Sequence, residues 1–329
     1  MNNHYNAAIT GTGAALPEQV LTNHDMEKMV ETSDQWIVSR TGIKERRKLE
    51  NGFSNTDLSE KAAREALDRA GLPPSEIDMI LVATVTPDYP TPASSCLLQA
   101  RLEAFNAAAM DLSAGCTGFI YALTVANQFI KGGCYRNILV VGVEILTRAT
   151  DWEDRSTCVL FGDGAGAIVV QRTLEDRGIK SCSLKADGRG AELLYIPAGG
   201  SKHPASQETV QNRMHYIKMN GNEIFKFAVS QVEDTLYALM QEEGLKPEDL
   251  DLIFLHQANL RIIDYVRKHI KLPPEKFPVN IDRFGNTSSA TIPISIHEEL
   301  VAGRLKKDDL IAMVGFGAGL TWGGILMKW

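Results

Sequence analysis

The chain has 329 residues, of which 44% are hydrophobic and 23% charged, and its formal net charge is −7. This composition is that of a globular protein with a sizeable core, and the acidic balance excludes a general attraction to nucleic acid or to an anionic membrane. No apolar run approaches the roughly 20 residues of a membrane span, and the polar residues 1–5 lack the features of a signal peptide. We therefore expect a cytoplasmic protein without membrane or nucleic-acid partners.

Two segments of the chain repeat at one spacing. Residues 71–80 (GLPPSEIDMI) match residues 244–253 (GLKPEDLDLI), and residues 138–142 (ILVVG) match residues 311–315 (IAMVG), both at an offset of 173 (244 − 71 = 311 − 138 = 173). Two ungapped matches at one offset indicate a duplicated half. We place the halves at residues 1–176 and 177–329.

Each half shows the same order of predicted elements. Helical periodicity over residues 57–70 and 230–243 ends at Gly71 and Gly244, which suit helix C-caps. The apolar runs 79–83 and 252–255 follow, and after a further helix come the runs 137–142 and 310–315; such short runs are typical of strands buried on both faces. Strands alternating with helices predict an α/β fold with mostly parallel sheets covered by helices.

The five cysteines lie at positions 96, 116, 134, 158 and 182 and include no CxxC pair. An odd, widely spaced set argues against a disulfide framework and against a zinc site. We therefore expect free thiols that are buried as small apolar side chains.

Cys116 is the first candidate for chemistry. It stands in the segment 110–119 (MDLSAGCTGF), just before an apolar helix predicted over residues 119–130. A cysteine at a helix N-terminus faces the positive end of the helix dipole, which can lower the thiol pKa and favour the nucleophilic thiolate. From local context alone, a buried and inert thiol is the commoner case.

Two polar segments of the second half are candidates to act with this cysteine. His256 follows the run 252–255 directly, at the end of a strand where α/β proteins bind ligands, although a lone histidine there is more often a satisfied core residue. The segment 285–290 (GNTSSA) is by itself an ordinary polar turn that caps a helix. The 173 offset pairs Cys116 with Ser289 (116 + 173 = 289), so the two related loops should face one another and bring Asn286 near Cys116.

Two glycine-rich segments have different interpretations. In residues 315–323 (GFGAGLTWG), glycines after a strand permit close approach of the backbone to a ligand, and the amides there can form an oxyanion hole. Residues 161–166 (FGDGAG) lack the lysine and spacing of a phosphate loop and the strand–helix context of a dinucleotide site. We interpret this second segment as tight packing between the halves.

Together with residues 32–43 (TSDQWIVSRTGI), the segments 111–119, 256–263 (HQANLRII), 285–290 and 315–323 closely resemble the β-ketoacyl-acyl-carrier-protein synthase III family, over residues 7–329. The resemblance implies the thiolase fold, with two duplicated halves in five layers (αβαβα), and the initiating condensation of type II fatty acid synthesis. It also implies a homodimer, with acyl-CoA, most often acetyl-CoA, and malonyl-acyl carrier protein as substrates, and with no cofactor and no metal.

The resemblance further implies roles for individual residues. Cys116 is acylated, neutral His256 and Asn286 each donate a hydrogen bond to the malonyl thioester oxygen, and the amides of Cys116 and Ala318 hold the acyl-transfer oxyanion. The other matches are CoA-binding residues (Trp36, Arg40, Arg155 and Asn259), acyl-pocket residues (Thr91, Leu146, Phe161, Ile217 and Phe316) and carrier-protein docking residues (Lys226, Arg261, Arg267 and Lys268).

Two positions depart from the family pattern. Thr91 stands where many members carry an aromatic residue that reaches into the partner's acyl pocket, which suggests room for primers longer than acetyl. Ala318 stands where glycine is common, but its backbone amide remains.

Other functions stay open at this point. A specialised homologue would use Cys116, His256 and Asn286 to make a secondary metabolite or a long-chain ketone, and a non-catalytic homologue would only bind acyl groups. A degradative thiolase is disfavoured, because it needs a second cysteine near the C-terminal glycine segment and residues 315–329 contain none.

Overall fold

The computed structural model describes residues 5–329, so the N-terminal segment on which the signal-peptide prediction rests lies almost wholly outside the described residues. Its strands are β1 (Asn6–Ala15), β2 (Val20–Thr22), β3 (Glu45–Arg47), β4 (Met79–Ala83), β5 (Ala108–Leu112), β6 (Asn137–Ile145), β7 (Asp163–Thr173), β8 (Gly178–Ala186), β9 (Leu194–Tyr195), β10 (Lys218–Met219), β11 (Leu252–Leu255), β12 (Leu310–Gly317) and β13 (Thr321–Lys328). Its helices are α1 (Asn23–Met26), α2 (Asp34–Thr41), α3 (Asn55–Ala70), α4 (Ser94–Leu102), α5 (Gly118–Lys131), α6 (Arg155–Cys158), α7 (Gln207–Gln211), α8 (Gly221–Glu242), α9 (Leu260–Ile270), α10 (Ile281–Phe284) and α11 (Thr291–Val301).

Two sheets carry the architecture, and each draws its strands from one side of the predicted join. The first sheet has the order β1-β7-β6-β4-β5 and the second the order β11-β12-β13-β8. The boundary of the halves at residues 176 and 177 falls between β7 and β8 and stays a prediction.

Pairing within the sheets corrects the prediction of mostly parallel sheets. β4 is parallel to both β5 and β6, and β11 is parallel to β12. The β1–β7, β6–β7, β12–β13 and β8–β13 pairs are antiparallel. The cause is clearest in the second half, where only residues 318–320 connect β12 to β13, too few for the helical crossover that a parallel pair needs.

Helices cover both faces of both sheets. α5 and α11 lie between the sheets, where Phe119, Ile120, Ile292 and Ile296 join strand residues from both sheets in one buried cluster. α3 and α4 pack on the outer face of the first sheet, and α8 and α9 pack on the outer face of the second. These five layers confirm the predicted αβαβα arrangement. Within residues 5–329, no helix has both the length and the apolar character needed to cross a bilayer.

The repeat is visible in the bounds of the elements. β4 and β11 begin at residues 79 and 252, α5 and α11 at 118 and 291, and β6 and β12 at 137 and 310 (252 − 79 = 291 − 118 = 310 − 137 = 173). α8 begins nine residues before its predicted start at 230, because the Asn220 side chain caps the helix there. Gly71 is the C-cap of α3 as predicted, whereas the C-cap of α8 is Glu243 rather than Gly244.

The 161–166 segment packs the halves together, as predicted. A Cβ atom on Gly162 would lie 2.2 Å from the Phe284 carbonyl oxygen, so no larger residue fits at this position. All five cysteines are free thiols, but Cys96 and Cys134 are exposed. The prediction of buried thiols is therefore wrong for these two, because Cys96 lies on an outward position of α4 and Cys134 lies in the turn after α5.

Candidate active site

The two duplicated loops meet at the centre of the molecule. Cys116 lies in a 3₁₀ turn, Gly115–Thr117, that leads directly into α5. The related turn, Ser288–Ala290, leads in the same way into α11. Because α5 and α11 are neighbours between the sheets, the two turns contact each other.

A cavity of about 550 Å³ joins the three predicted catalytic side chains. Cys116, His256 and Asn286 all line it, and each is at least nine-tenths buried. His256 directly follows β11, and its backbone N–H donates to the Val314 carbonyl at 2.9 Å. The end of a buried strand thus supplies the histidine, and the two facing turns supply the cysteine and the asparagine.

The backbone closes tightly around the sulfur. A Cβ atom on Gly317 would lie 2.8 Å from the Cys116 nitrogen and 3.1 Å from its Sγ, so this close approach requires glycine. The backbone amides of Cys116 and Ala318 both act to lower the pKa of the thiol. They are the two donors that the family resemblance implies for the oxyanion hole.

Burial raises the pKa of the Cys116 thiol to about 11, although the Ser288 hydroxyl and the amides of Cys116 and Ala318 act in the opposite direction. The expectation of a lowered pKa is therefore wrong. A thiolate at this position loses its hydration, and that loss outweighs the helix N-terminus and the nearby donors. The resting thiol is protonated at neutral pH and needs a base to take its proton as it attacks.

His256 lines the same cavity and has a neutral imidazole that can accept this proton. Burial lowers the pKa of its imidazole to about 3, so the ring is neutral at physiological pH. Its Nδ1 lies 2.7 Å from Thr291 Oγ1, and this hydroxyl lies 3.0 Å from the Ser288 carbonyl oxygen. The single hydroxyl proton satisfies both contacts only if Thr291 donates to Ser288 and accepts from Nδ1–H. We therefore assign the proton to Nδ1, which leaves the Nε2 lone pair available as an acceptor.

Asn286 is held in the opposite sense, as a donor. Its Oδ1 accepts a hydrogen bond of 2.8 Å from the Ser288 backbone N–H. This contact fixes which end of the side-chain amide is oxygen and leaves the Nδ2 hydrogens to serve the cavity. Ser288 adopts a positive φ of 50°, a conformation that is uncommon outside glycine and often found at functional sites.

A second, apolar pocket of about 230 Å³ opens from Cys116. Leu146, Phe161 and Ile217 line it, as predicted for the acyl group. Phe316 lines the larger cavity instead, because its ring packs edge-on against the His256 imidazole at 5.1 Å. Thr91 is exposed and lies outside both spaces, so its expected role in a partner's pocket stays a prediction.

Comparison with known proteins identifies the family. Models of 3-oxoacyl-[acyl-carrier-protein] synthase III and of its C-terminal part match residues 110–188 and 240–329. The β-ketoacyl-[acyl-carrier-protein] synthase III of Caldanaerobacter subterraneus subsp. tengcongensis is 52% identical over 323 residues, which cover 98% of each chain. The chain belongs to the β-ketoacyl-acyl-carrier-protein synthase III family. This membership makes it a condensing acyltransferase of the thiolase fold.

Solved structures agree with this assignment. The crystal structure of 3-oxoacyl-[acyl-carrier-protein] synthase III from Aquifex aeolicus has a TM-score of 0.91 at 47% identity, with 98% of this chain and 100% of that chain covered. The priming β-ketosynthase of the R1128 polyketide pathway also has a TM-score of 0.91, at 32% identity, with 98% and 96% covered.

The predicted CoA-binding residues lie around the mouth of the larger cavity. Trp36, Arg40 and Asn259 line it, and the Arg155 guanidinium lies over the Trp36 ring, 4.7 Å from its centroid. Asn259 also has a structural task, because its Oδ1 caps α9 and its Nδ2 donates to the Arg40 carbonyl at 3.1 Å. A flat aromatic ring beside exposed guanidinium groups suits an adenine with phosphates.

The predicted docking residues divide into two groups. Lys226 and Arg261 line the same mouth, with the Arg261 guanidinium 5.2 Å from the centroid of the Phe225 ring. Arg267 and Lys268 lie further along α9, and Arg267 pairs with Asp264 at 3.2 Å. Only the first group therefore lines the mouth of the larger cavity.

Several residues around the sulfur are not among those predicted from the sequence. Ser288 and Thr291 orient Asn286 and His256, and both lie in or just after the GNTSSA segment, where their hydroxyls are a visible signal. Glu144 is buried in contact with Ser288, and a carboxylate in the apolar run 138–146 could have indicated it, since such groups are rarely buried without a reason. The pocket residues at 194–196 follow no periodic pattern and had no such signal.

Proposed function

We propose that this chain transfers an acyl group from acyl-CoA to Cys116 and then joins it to malonyl-acyl carrier protein, releasing carbon dioxide and a 3-oxoacyl carrier protein. One observation carries the proposal. A thiol, an imidazole with a free acceptor nitrogen and an amide donor share one cavity, and an apolar pocket opens behind the sulfur.

The first half-reaction is a thioester exchange. His256 Nε2 takes the Cys116 proton while the sulfur attacks the carbonyl carbon of the acyl-CoA, and the amides of Cys116 and Ala318 stabilise the oxyanion. The carbon–sulfur bond to CoA then breaks, and the leaving sulfur takes the proton from His256. The enzyme keeps the acyl group, CoA leaves as a thiol, and the imidazole returns to its neutral form.

The second half-reaction uses the same groups differently. The bond from the malonyl carbon to its carboxylate breaks, carbon dioxide leaves, and the electron pair forms an enolate whose oxygen accepts from Asn286 Nδ2–H. His256 contributes a second donor after it loses its Nδ1 proton to solvent and takes one from solvent at Nε2, and the Thr291 hydroxyl permits this tautomer because it can donate to Nδ1 instead of to the Ser288 carbonyl. The enolate carbon attacks the acyl group, and the carbon–sulfur bond to Cys116 breaks. Cys116 leaves as a thiolate and takes a proton from solvent, the one proton that this half-reaction consumes.

The surroundings of the cavity support these substrates. Trp36 and Arg155 offer a platform for the adenine of CoA, and the pantetheine arm passes Asn259 to reach the sulfur. We propose a homodimer, since β5 is the edge of the first sheet and Met110 on it is 37% exposed. A cytoplasmic location is part of the same proposal.

Intact-protein mass after incubation with acetyl-CoA through dodecanoyl-CoA tests the function. We expect one acyl adduct per chain that malonyl-acyl carrier protein discharges. Because the pocket behind Cys116 holds about 230 Å³, adducts should form with butyryl-CoA as well and become less frequent as the chain outgrows the pocket.

Two outcomes would change this account. Refusal of every primer from butyryl- to dodecanoyl-CoA would contradict the larger primer range. No adduct from any acyl-CoA would mean that another donor acylates Cys116. The hypothesis of a specialised homologue, as in polyketide priming, would then replace the hypothesis that this chain initiates fatty acid synthesis.

Charge reversal at Arg261 tests carrier-protein docking. Carrier protein is acidic by family resemblance and this chain is acidic overall, so docking needs local positive charge. Arg261→Glu should lower condensation with malonyl-acyl carrier protein about fivefold to tenfold at low salt and leave acylation of Cys116 by acyl-CoA intact. Lys131→Glu is the matched control, since it lies at the far end of α5 from Cys116, about 20 Å along the helix. Equal condensation rates in the two variants would remove Arg261 from the docking surface.

A further inference from the structure

A buried carboxyl group lies behind the catalytic turn and has no part in the chemistry described so far. Glu144 belongs to β6 and is 0% exposed. Among residues 5–329 its partners are hydrogen-bond donors and not a basic side chain: Val85 N at 3.1 Å, Thr86 Oγ1 at 2.6 Å, Thr84 Oγ1 at 3.3 Å and Ser288 Oγ at 3.2 Å. An unpaired buried carboxyl group is costly, so its retention calls for an explanation.

The Ser288 hydroxyl connects this carboxyl group to the nucleophile. Ser288 Oγ contacts Glu144 Oε1 at 3.2 Å. Ser288 and Cys116 also line the same apolar pocket, where the Ser288 hydroxyl acts to lower the pKa of the thiol. A serine hydroxyl has one proton, so it cannot donate to both acceptors at once. The neighbouring Ser289 hydroxyl does not compete, because it donates to the Ala83 carbonyl at 2.9 Å, closer than its 3.3 Å contact with Glu144.

The charges of Glu144 and Cys116 oppose each other. Burial raises the pKa of Glu144 to about 7, against the hydrogen bonds from Thr86, Val85 and Ser288. The negative charge of Glu144 in turn contributes to the raised pKa of Cys116. The groups that face Glu144 from the chain after β4 and from the Ser288 turn are hydroxyls and one amide, so Cys116 is the titratable group with which Glu144 is coupled in the described chain.

We propose that Glu144 is a positioning residue for the nucleophile: its protonation state decides whether the Ser288 hydroxyl donates to the carboxyl group or to the Cys116 sulfur, and thereby sets how readily Cys116 loses its proton. The inference rests on the proposed role of Cys116 as the acyl carrier. When Glu144 is ionised, it holds the Ser288 proton and repels a thiolate. When Glu144 is neutral, the hydroxyl is released to the sulfur and the repulsion is gone.

Glu144→Gln separates charge from shape. The amide oxygen can accept from Thr86 and Val85 as the carboxylate does, and the amide N–H₂ can donate to Ser288 Oγ, which frees the serine proton for the sulfur. The variant should therefore behave as permanently neutral Glu144. Ser288→Ala removes the hydroxyl that connects Glu144 to Cys116, so it should raise the pKa of the Cys116 thiol, whereas Glu144→Gln should lower it.

The measurement is the rate of alkylation of Cys116 by iodoacetamide as a function of pH. It is read on the Cys116 peptide by mass spectrometry, because the exposed thiols of Cys96 and Cys134 react as well. Glu144→Gln should move the profile to lower pH by about one pKa unit. At a pH below the thiol pKa, a pKa lower by one unit makes the thiolate about tenfold more abundant in the variant, while each thiolate becomes less nucleophilic. Alkylation of the variant at pH 7 should therefore be about threefold faster than that of the unmodified chain. Ser288→Ala should move the profile to higher pH, and Glu144→Gln should lose most of its effect in that background.

Asp163→Asn is the matched control, since Asp163 is an equally buried carboxylate that accepts from Leu49 N and Thr147 rather than from Ser288. Its profile should coincide with that of the unmodified chain. A Glu144→Gln profile that coincides with that of the unmodified chain would overturn the proposal. The proposal would also be overturned if Glu144→Gln shifted the profile by the full amount in the Ser288→Ala background. If Glu144→Gln does not fold, Ser288→Ala alone decides, because an unshifted profile there also overturns it. Alkylation needs no acyl-CoA, so a failure of the proposed acyl transfer would show separately.

Discussion

Replacing Cys116 by alanine should abolish the acyl adduct and lower the rate of condensation about 10³-fold or more, because the covalent intermediate can no longer form. The expected result is an unchanged intact mass after incubation with acetyl-CoA. The cavity and the pocket should persist, since the alanine side chain fits where the cysteine Cβ lies.

The control for this experiment is Cys134→Ala. Cys134 is exposed and does not line the cavity. Any acyl group that it carries would therefore come from the chemical reactivity of an accessible thiol and not from catalysis in the site. That variant should keep the single adduct. An adduct that persists in Cys116→Ala and disappears in Cys134→Ala would reverse the assignment of the nucleophile.

Substitutions at Asn286 and His256 should separate the two half-reactions. Asn286→Ala removes the Nδ2 donor and should lower condensation about 10²- to 10³-fold while leaving acylation of Cys116 nearly intact. His256→Ala removes both the base and the second donor, so it should slow acylation and condensation alike. Single-turnover mass measurements of adduct formation and of adduct discharge by malonyl-acyl carrier protein give the two rates.

Asn286→Asp sharpens the comparison. It keeps the shape and the oxygen that accepts from the Ser288 amide, but replaces the N–H₂ donor by an acceptor. It should therefore be at least as slow in condensation as Asn286→Ala. Loss of acylation to the same degree as condensation in the Asn286 variants would mean that this residue shapes the site as a whole and does not act on the enolate.

Much of this protein could be predicted from its sequence because the information was local or repeated. The 173-residue offset predicted that the two halves share one order of elements and that Ser288–Ala290 lies opposite Gly115–Thr117. The short apolar runs at 79–83 and 252–255 are strands because both of their faces are buried. The residues that carry the chemistry stand in segments specific enough to identify the family.

Tertiary structure decided the properties that depend on what surrounds each group. Strand direction followed from the length of the connection between β12 and β13, which the alternation of helix and strand does not reveal. The exposure of Cys96 depended on which face of α4 packs against the first sheet, and that of Cys134 on how the turn after α5 lies at the surface.

The same holds for the chemistry of the site. A helix N-terminus favours a thiolate, yet burial of Cys116 raises its pKa, because the cost of removing a charge from water depends on all the atoms around it. The proton on His256 is placed by Thr291, 35 residues away in the chain. In the proposed coupling, Glu144 acts on Cys116 in part through the Ser288 hydroxyl, which belongs to the other half of the molecule. The sequence by itself therefore determined which groups are present and in what order they fold, whereas the folded structure alone set their protonation, their hydrogen-bond directions and the space beside the sulfur.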